Sequence, residues 1–148
     1  MGVFRNYILW CSLISWFAAQ LLKFLFVLFF QKKVQFERFV GSGGMPSSHT
    51  ALVTSLAIST AQICGVESSE FAISFILACV VIYDAMGVRR EAGEHAKLLN
   101  IMMRDDDDNF EDYEDCELKE KLGHTPLEVL GGALLGIIIP MIISLIVT

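Results

Sequence analysis

Long apolar stretches make up most of the chain, and two polar segments interrupt them. A helix needs roughly 20 apolar residues to cross the hydrocarbon core of a bilayer. The four segments that approach this length are Tyr7 to Phe30, Pro46 to Gly65, Glu70 to Ala85 and Pro126 to Val147. The pattern therefore predicts an all-α, polytopic membrane helix bundle of about four transmembrane helices, in a single domain over residues 1–148.

Helical periodicity continues past the third apolar segment, from Tyr83 to Asn100, so we expect the third helix to extend uninterrupted beyond the membrane. The residues that share one face at this spacing are Asp84, Val88, Glu91, His95 and Leu98. Residues 104–118 follow, and nine of the thirteen residues after Arg104 are acidic. Like charges at this density repel one another and stay solvated. They predict a flexible acidic loop.

The distribution of basic residues predicts the orientation of the helix bundle in the membrane. Four crossings place both termini on one face and the two long loops on the other, and the basic residues concentrate on the loop face. They are Lys32, Lys33, Arg38, Arg89, Arg90, Lys97, Arg104, Lys119 and Lys121, against Arg5 alone on the other face. The positive-inside rule then predicts a multi-pass protein of the cell membrane whose loop face is cytoplasmic.

The formal net charge of −6 arises in the acidic run, because removing its nine acids from −6 leaves +3. The balance excludes a basic nucleic-acid-binding protein, and we expect no nucleic-acid partner. The apolar segments indicate the lipid bilayer as a partner. Gly132 and Gly136 form a G-x-x-x-G pair that lets another helix approach closely, which also predicts a homo-oligomer through these two residues.

The first chemical motif is the glycine-rich loop GSGGMPSSHTA, which enters the second apolar segment and contains His49. Helix N-termini offer unpaired N–H groups and the positive end of the helix dipole. With the hydroxyls of Ser47 and Ser48, they form a candidate phosphate cradle. A simple turn followed by a helix that Pro46 starts explains the same residues, and both interpretations stay open.

The second motif, HTPLEVLGGALLG, begins at His124. Glu128 follows at i+4, and a carboxylate bonded to one imidazole nitrogen makes the other nitrogen a better nucleophile or base. However, Thr125 and Glu128 also match the T-x-x-E capping box, with Pro126 at the first helical position. Glu128 is therefore either a catalytic partner or a helix cap.

Cationic side chains near these motifs are candidate phosphate ligands. Lys23 lies inside the first apolar helix, where a charge needs a partner within the bundle. Arg89 and Arg90 carry planar guanidinium groups that bind phosphate with two donors. Two alternatives remain, a salt bridge from these arginines to Asp84 and a site for a divalent metal. The ligands of that metal would be Asp84, Glu91 and His95.

Three segments, GGMPSSHTALV, YDAMGVRREAG and LGHTPLEVLGGALLG, resemble the type 2 phosphatidic acid phosphatase and vanadium haloperoxidase superfamily, specifically its small divergent membrane branch. The resemblance implies hydrolysis of a lipid phosphate or isoprenoid diphosphate without a metal or other cofactor. It implies that His124 attacks phosphorus to form a phosphohistidine, that Glu128 orients His124, and that His49 protonates the leaving oxygen. The candidate substrate-binding residues are Lys23, Arg38, Ser47, Ser48, Arg89 and Arg90.

The chain departs from the wider superfamily at several positions. The K-x6-R-P motif is absent around Arg38, which no proline follows, and Leu118 stands where an arginine is expected six residues before the nucleophile. Ser48 replaces the glycine of P-S-G-H, and Glu128 replaces the aspartate of H-x-x-x-D. An alternative function is therefore a catalytically inactive membrane protein that binds phosphate-containing lipids.

Overall fold

The structure is a computed structural model, and it describes residues 6–31, 44–105, 118 and 123–147. These residues form five helices and no strand. The helices are α1 (Tyr7–Gln31), α2 (Ser48–Cys64), α3 (Ser69–Met86), α4 (Val88–Asp105) and α5 (Pro126–Val147). The prediction of an all-α fold is confirmed.

Among the described residues, three segments are long and apolar enough to cross a membrane, namely Tyr7–Phe26, Ser69–Met103 and Pro126–Ile146. In Ser69–Met103 the apolar part is α3, because α4 is rich in charged residues. Large apolar side chains on the outer surfaces of α1, α3 and α5 are exposed, as expected for helices that face lipid. The segment predicted as a further crossing forms α2, whose 17 residues include many Ser and Thr. The fold is that of a helical membrane bundle.

The core of the bundle is the contact of α2 with α1, α3 and α5, and it is built from small side chains. On α1, Cys11, Ser15 and Ala19 are fully buried at four-residue spacing, and on α2 so are Ser55 and Ser59. Small residues let membrane helices approach closely, and the buried hydroxyl of Ser59 donates back to the Ser55 carbonyl at 2.7 Å. The helices of the bundle are therefore closely packed around α2.

The G-x-x-x-G pair of α5 takes part in this core. A Cβ at Gly132 would overlap the carbonyl oxygen of Ser47, and one at Gly136 would lie 2.7 Å from the carbonyl oxygen of Ala51. The predicted close approach is therefore made to α2 of the same chain. This corrects the predicted homo-oligomer through Gly132 and Gly136, because α2 already covers the surface that a second copy would need.

The polar segment after α3 is not one uninterrupted helix. Gly87 has φ −101° and ψ −91°, outside the helical region, and the helix stops at Met86 and restarts at Val88. The Gly87 N–H still donates to the Tyr83 carbonyl at 2.9 Å, so the break is local. Asp84 therefore belongs to a different helix from the charged residues that follow it. Of the predicted acidic loop, residues 106–117 lie outside the described residues.

Candidate functional site

The first turn of α2 contains His49 and is tied to the first turn of α5. Ser47 caps α2, since its Oγ accepts from the Thr50 N–H at 3.3 Å and from the Thr50 hydroxyl at 3.0 Å. The N–H of Ser47 donates to the carbonyl oxygen of Glu128 at 2.9 Å. His49 is consequently held at a fixed position relative to the helix that carries Glu128.

His124 and Glu128 are in contact, as their spacing predicted. Nδ1 of His124 lies 3.0 Å from Oε2 of Glu128, and only 6% of the histidine is exposed. Because a carboxylate accepts hydrogen bonds, the imidazole hydrogen belongs on Nδ1, and Nε2 keeps its lone pair. This geometry fits a histidine that acts as a nucleophile or base through Nε2.

The capping interpretation of Glu128 is correct as well. Its Oε2 also accepts from the N–H of Thr125 at 3.2 Å, and its own N–H donates to the Thr125 hydroxyl at 3.4 Å. These two bonds form the capping box of α5. One carboxylate therefore both starts the helix and orients His124, so the two alternatives left open by the sequence hold together.

Gly123 sets the path of the chain into His124, a role that the sequence analysis missed. It has φ +88°, and a Cβ there would lie 2.6 Å from the backbone nitrogen of Arg90. The next N–H, that of His124, donates to the carbonyl oxygen of Ala85 at 3.0 Å. The only signal in the sequence was a glycine immediately before the histidine, which by itself indicates a turn.

A pocket of about 260 Å³ brings the candidate groups together. It is lined by His49, Val80, Val81, Asp84, Ala85, Arg89, Gly123 and His124. Two histidines and a guanidinium, from α2, α4 and the turn before α5, thus face one space, with an apolar wall from α3. That wall was not predicted, although an apolar run does precede Asp84 in the sequence.

Arg89 enters the pocket paired with Asp84. Its Nε lies 2.6 Å from Oδ2 of Asp84, and 56% of the arginine side chain is exposed. This bond uses one of the five donors of the guanidinium. The positive charge of Arg89 also repels a second positive charge on His49. The salt-bridge alternative is therefore correct for Arg89.

The metal alternative is not supported. Within 6–31, 44–105, 118 and 123–147, no group of three or more His, Cys, Asp and Glu side chains is arranged to hold a metal ion. In particular, Asp84 bonds to Arg89, while His95 and Glu91 lie beyond the helix break at Gly87.

Lys23 lies beside the site, within the bundle. Only 3% of it is exposed, and a Cβ at Gly44 would lie 3.6 Å from its Cγ and Cδ. The charge of Lys23 is attracted by that of Glu128, and it repels a positive charge on His49. Burial disfavours a positive charge on this lysine, and the carboxylate that holds His124 favours it.

The other predicted phosphate ligands either do not line the pocket or lie outside the described residues. Ser47 and Ser48 are buried next to His49 but do not line the pocket. Arg90 is exposed and contributes its backbone, against Gly123, to the site. Arg38 lies outside the described residues.

Comparison with known proteins gives two matches. A family model described as the divergent PAP2 family matches residues 4–139, which include both histidine motifs. The chain is 36% identical to the uncharacterized membrane protein YuiD of Bacillus subtilis (strain 168), over 154 residues that cover 97% of this chain and 98% of that protein. No solved structure matches the chain.

Proposed function

Because this chain belongs to the divergent PAP2 family of membrane proteins, we propose that it is an integral-membrane phosphatase that forms a phosphohistidine intermediate. Its substrate is a lipid phosphate or an isoprenoid diphosphate. The observation that carries the proposal is the 3.0 Å bond between His124 and Glu128, beside a pocket that His124 shares with His49 and Arg89. Nucleophile, acid and cation are the parts that metal-independent phosphoryl transfer requires.

In the first step, Nε2 of His124 attacks phosphorus. The P–N bond forms while the bond from phosphorus to the leaving oxygen breaks, and protonated His49 gives its proton to that oxygen. Glu128 accepts the Nδ1 hydrogen bond throughout and stabilises the positive charge that develops on the imidazole.

In the second step, water attacks the phosphohistidine. His49, now neutral, accepts a proton from the water, the P–N bond breaks, and inorganic phosphate leaves. The cations Arg89 and Lys23 and the N-terminus of α2 at Ser48 stabilise negative charge on the phosphoryl oxygens in both steps. Arg38 and Arg90 remain candidate ligands from the adjoining segments.

The pocket wall supports a membrane substrate. Val80, Val81 and Ala85 belong to α3, an apolar helix of the bundle, and they lie beside the polar groups of the pocket. If the phosphate group of a lipid lies in the pocket, the hydrocarbon chain of that lipid lies next to this wall and to the bilayer. The basic residues of the loop face favour a cytoplasmic site.

The direct test is phosphate release by the detergent-purified protein from a panel of lipid phosphates and prenyl diphosphates, with EDTA present. We expect release to persist in EDTA, since no step of the proposed mechanism uses a metal ion. His124→Ala protein, purified in parallel, is the control for contaminating phosphatases. Binding of these lipids without release from any of them would contradict the proposal and favour the lipid-binding alternative.

The two roles of Glu128 predict different effects for two neighbouring variants. Glu128→Gln keeps an acceptor at the capping position but removes the charge, so we expect turnover to fall roughly 10²–10⁴-fold while the cap of α5 is kept. Thr125→Ala removes the cap hydroxyl but leaves the carboxylate, and should cost about 1 kcal/mol of stability with turnover nearly retained. Thermal unfolding and phosphate release, measured on both proteins, test this separation. Equal losses of turnover in the two variants would contradict it.

A further inference from the structure

Asn100 attaches the segment that leads to His124 onto α4. Its side-chain Nδ2 donates to the carbonyl oxygen of Leu118 at 2.9 Å, and its Oδ1 accepts from the N–H of Leu118 at 3.0 Å. Asn100 is only 2% exposed. The side-chain amide of Asn100 thus bonds to both backbone polar groups of Leu118, its N–H and its carbonyl oxygen.

This contact is the first of three along the approach to the nucleophile. Leu118 lies six residues before His124. Gly123 then contacts the backbone of Arg90, and the N–H of His124 donates to the carbonyl oxygen of Ala85. The last two contacts involve only the backbone of the partners on α3 and α4, whereas the first depends on the identity of a side chain.

We propose that Asn100 is a positioning residue for His124. By fixing Leu118 on α4, it restricts the point from which the chain continues to Gly123, and so contributes to the position of the His124 ring relative to Glu128 and His49. Residues 119–122, between Leu118 and Gly123, lie outside the described residues. Asparagine suits this position because it both donates and accepts over a short reach. Aspartate only accepts, and leucine does neither. The kinetic part of the inference rests on the proposed function, but the structural part does not.

The structural part is tested by NMR of the protein labelled with ¹⁵N-histidine, because the chain contains only three histidines. Single substitutions of each histidine by glutamine assign the ring signals. In Asn100→Asp and Asn100→Leu we expect the ring signals of His124 to shift or broaden and those of His95 to remain. Leu98→Ala, an exposed position on the same helix, is the matched control. Unchanged His124 signals in both Asn100 variants would overturn the proposal.

The kinetic part compares the same proteins per folded molecule. A misplaced nucleophile lowers kcat more than substrate binding, so we expect kcat to fall roughly tenfold or more while KM changes little. Asn100→Asp, which keeps the bond from the Leu118 N–H, should lose less than Asn100→Leu and remain measurable if the latter does not fold. A purely structural role would lower the yield of folded protein but leave kcat per folded molecule unchanged, which would overturn the inference. If wild type releases no phosphate, the proposed function fails while the NMR measurement still decides the role of Asn100.

Discussion

Replacing His124 with alanine should lower phosphate release by at least about 10³-fold. The substitution removes the nitrogen that attacks phosphorus, and no other described imidazole contacts Glu128 in the part of the chain covered by residues 6–31, 44–105, 118 and 123–147. His49→Ala should cause a loss of similar order, because both the departure of the leaving group and the activation of water need its proton transfer. Each variant should still insert into membranes and purify like wild type.

The measurement that separates this mechanism from a general loss of activity is capture of the intermediate. Wild-type protein mixed with a ³²P-labelled substrate and quenched in alkali should retain label on histidine, whereas His124→Ala should not. His95→Ala is the matched control, since His95 is exposed on α4 and does not line the pocket. Turnover like that of wild type in either pocket variant would refute the assignment of these residues.

Gly132→Ala should lower the stability of the protein although it adds only one methyl group. The new Cβ would overlap the carbonyl oxygen of Ser47, which is backbone and cannot rotate away. Overpacking of this kind costs about 1–3 kcal/mol, more than the helix propensity gained in replacing glycine, which is about 1 kcal/mol. Because Ser47 caps the helix that carries His49, the shift would also reach the site, so we expect turnover to fall with stability.

The adjacent glycine provides the control. A Cβ at Gly131 would lie 3.4 Å from Cε of Met45 and 3.5 Å from Cβ of Pro46, close to ordinary contact distances with side-chain atoms. Gly131→Ala should therefore keep the unfolding temperature in detergent or raise it slightly, since it gains helix propensity without a clash. If the two alanine variants unfold alike, α5 does not contact α2 through Gly132 as described.

The sequence predicted most of the helices because lipid imposes a simple rule, that long apolar runs are helical. It did not predict the break at Gly87, since residues on either side of the glycine keep helical spacing and only its backbone angles interrupt the helix. The G-x-x-x-G pair correctly indicated a close helix approach. It carried no information about which helix approaches, and we assigned to a second copy a contact that α2 makes.

For the site, local spacing was sufficient for some residues and not for others. Glu128 follows His124 at i+4, and this interval indicated their contact, although His124 itself precedes the first residue of α5. The hydrogen bonds of Asn100 to Leu118 join residues 18 positions apart, across a segment with no periodicity. Contacts of that kind depend on how the chain returns after α4, which no pattern along the sequence specifies.

Lys23 also has a consequence for the biosynthesis of this protein. A charged lysine inside a lone membrane helix is costly, by about 2.5–3.5 kcal/mol at the helix centre on insertion scales. The carboxylate whose charge favours that of Lys23 belongs to α5, which is synthesised after the other four described helices. Until α5 leaves the ribosome, α1 has no such counter-charge in the bilayer. We therefore expect α1 to reach its final position in the bundle only after α5 has entered the bilayer, so that the integration of α1 and the assembly of the site coincide.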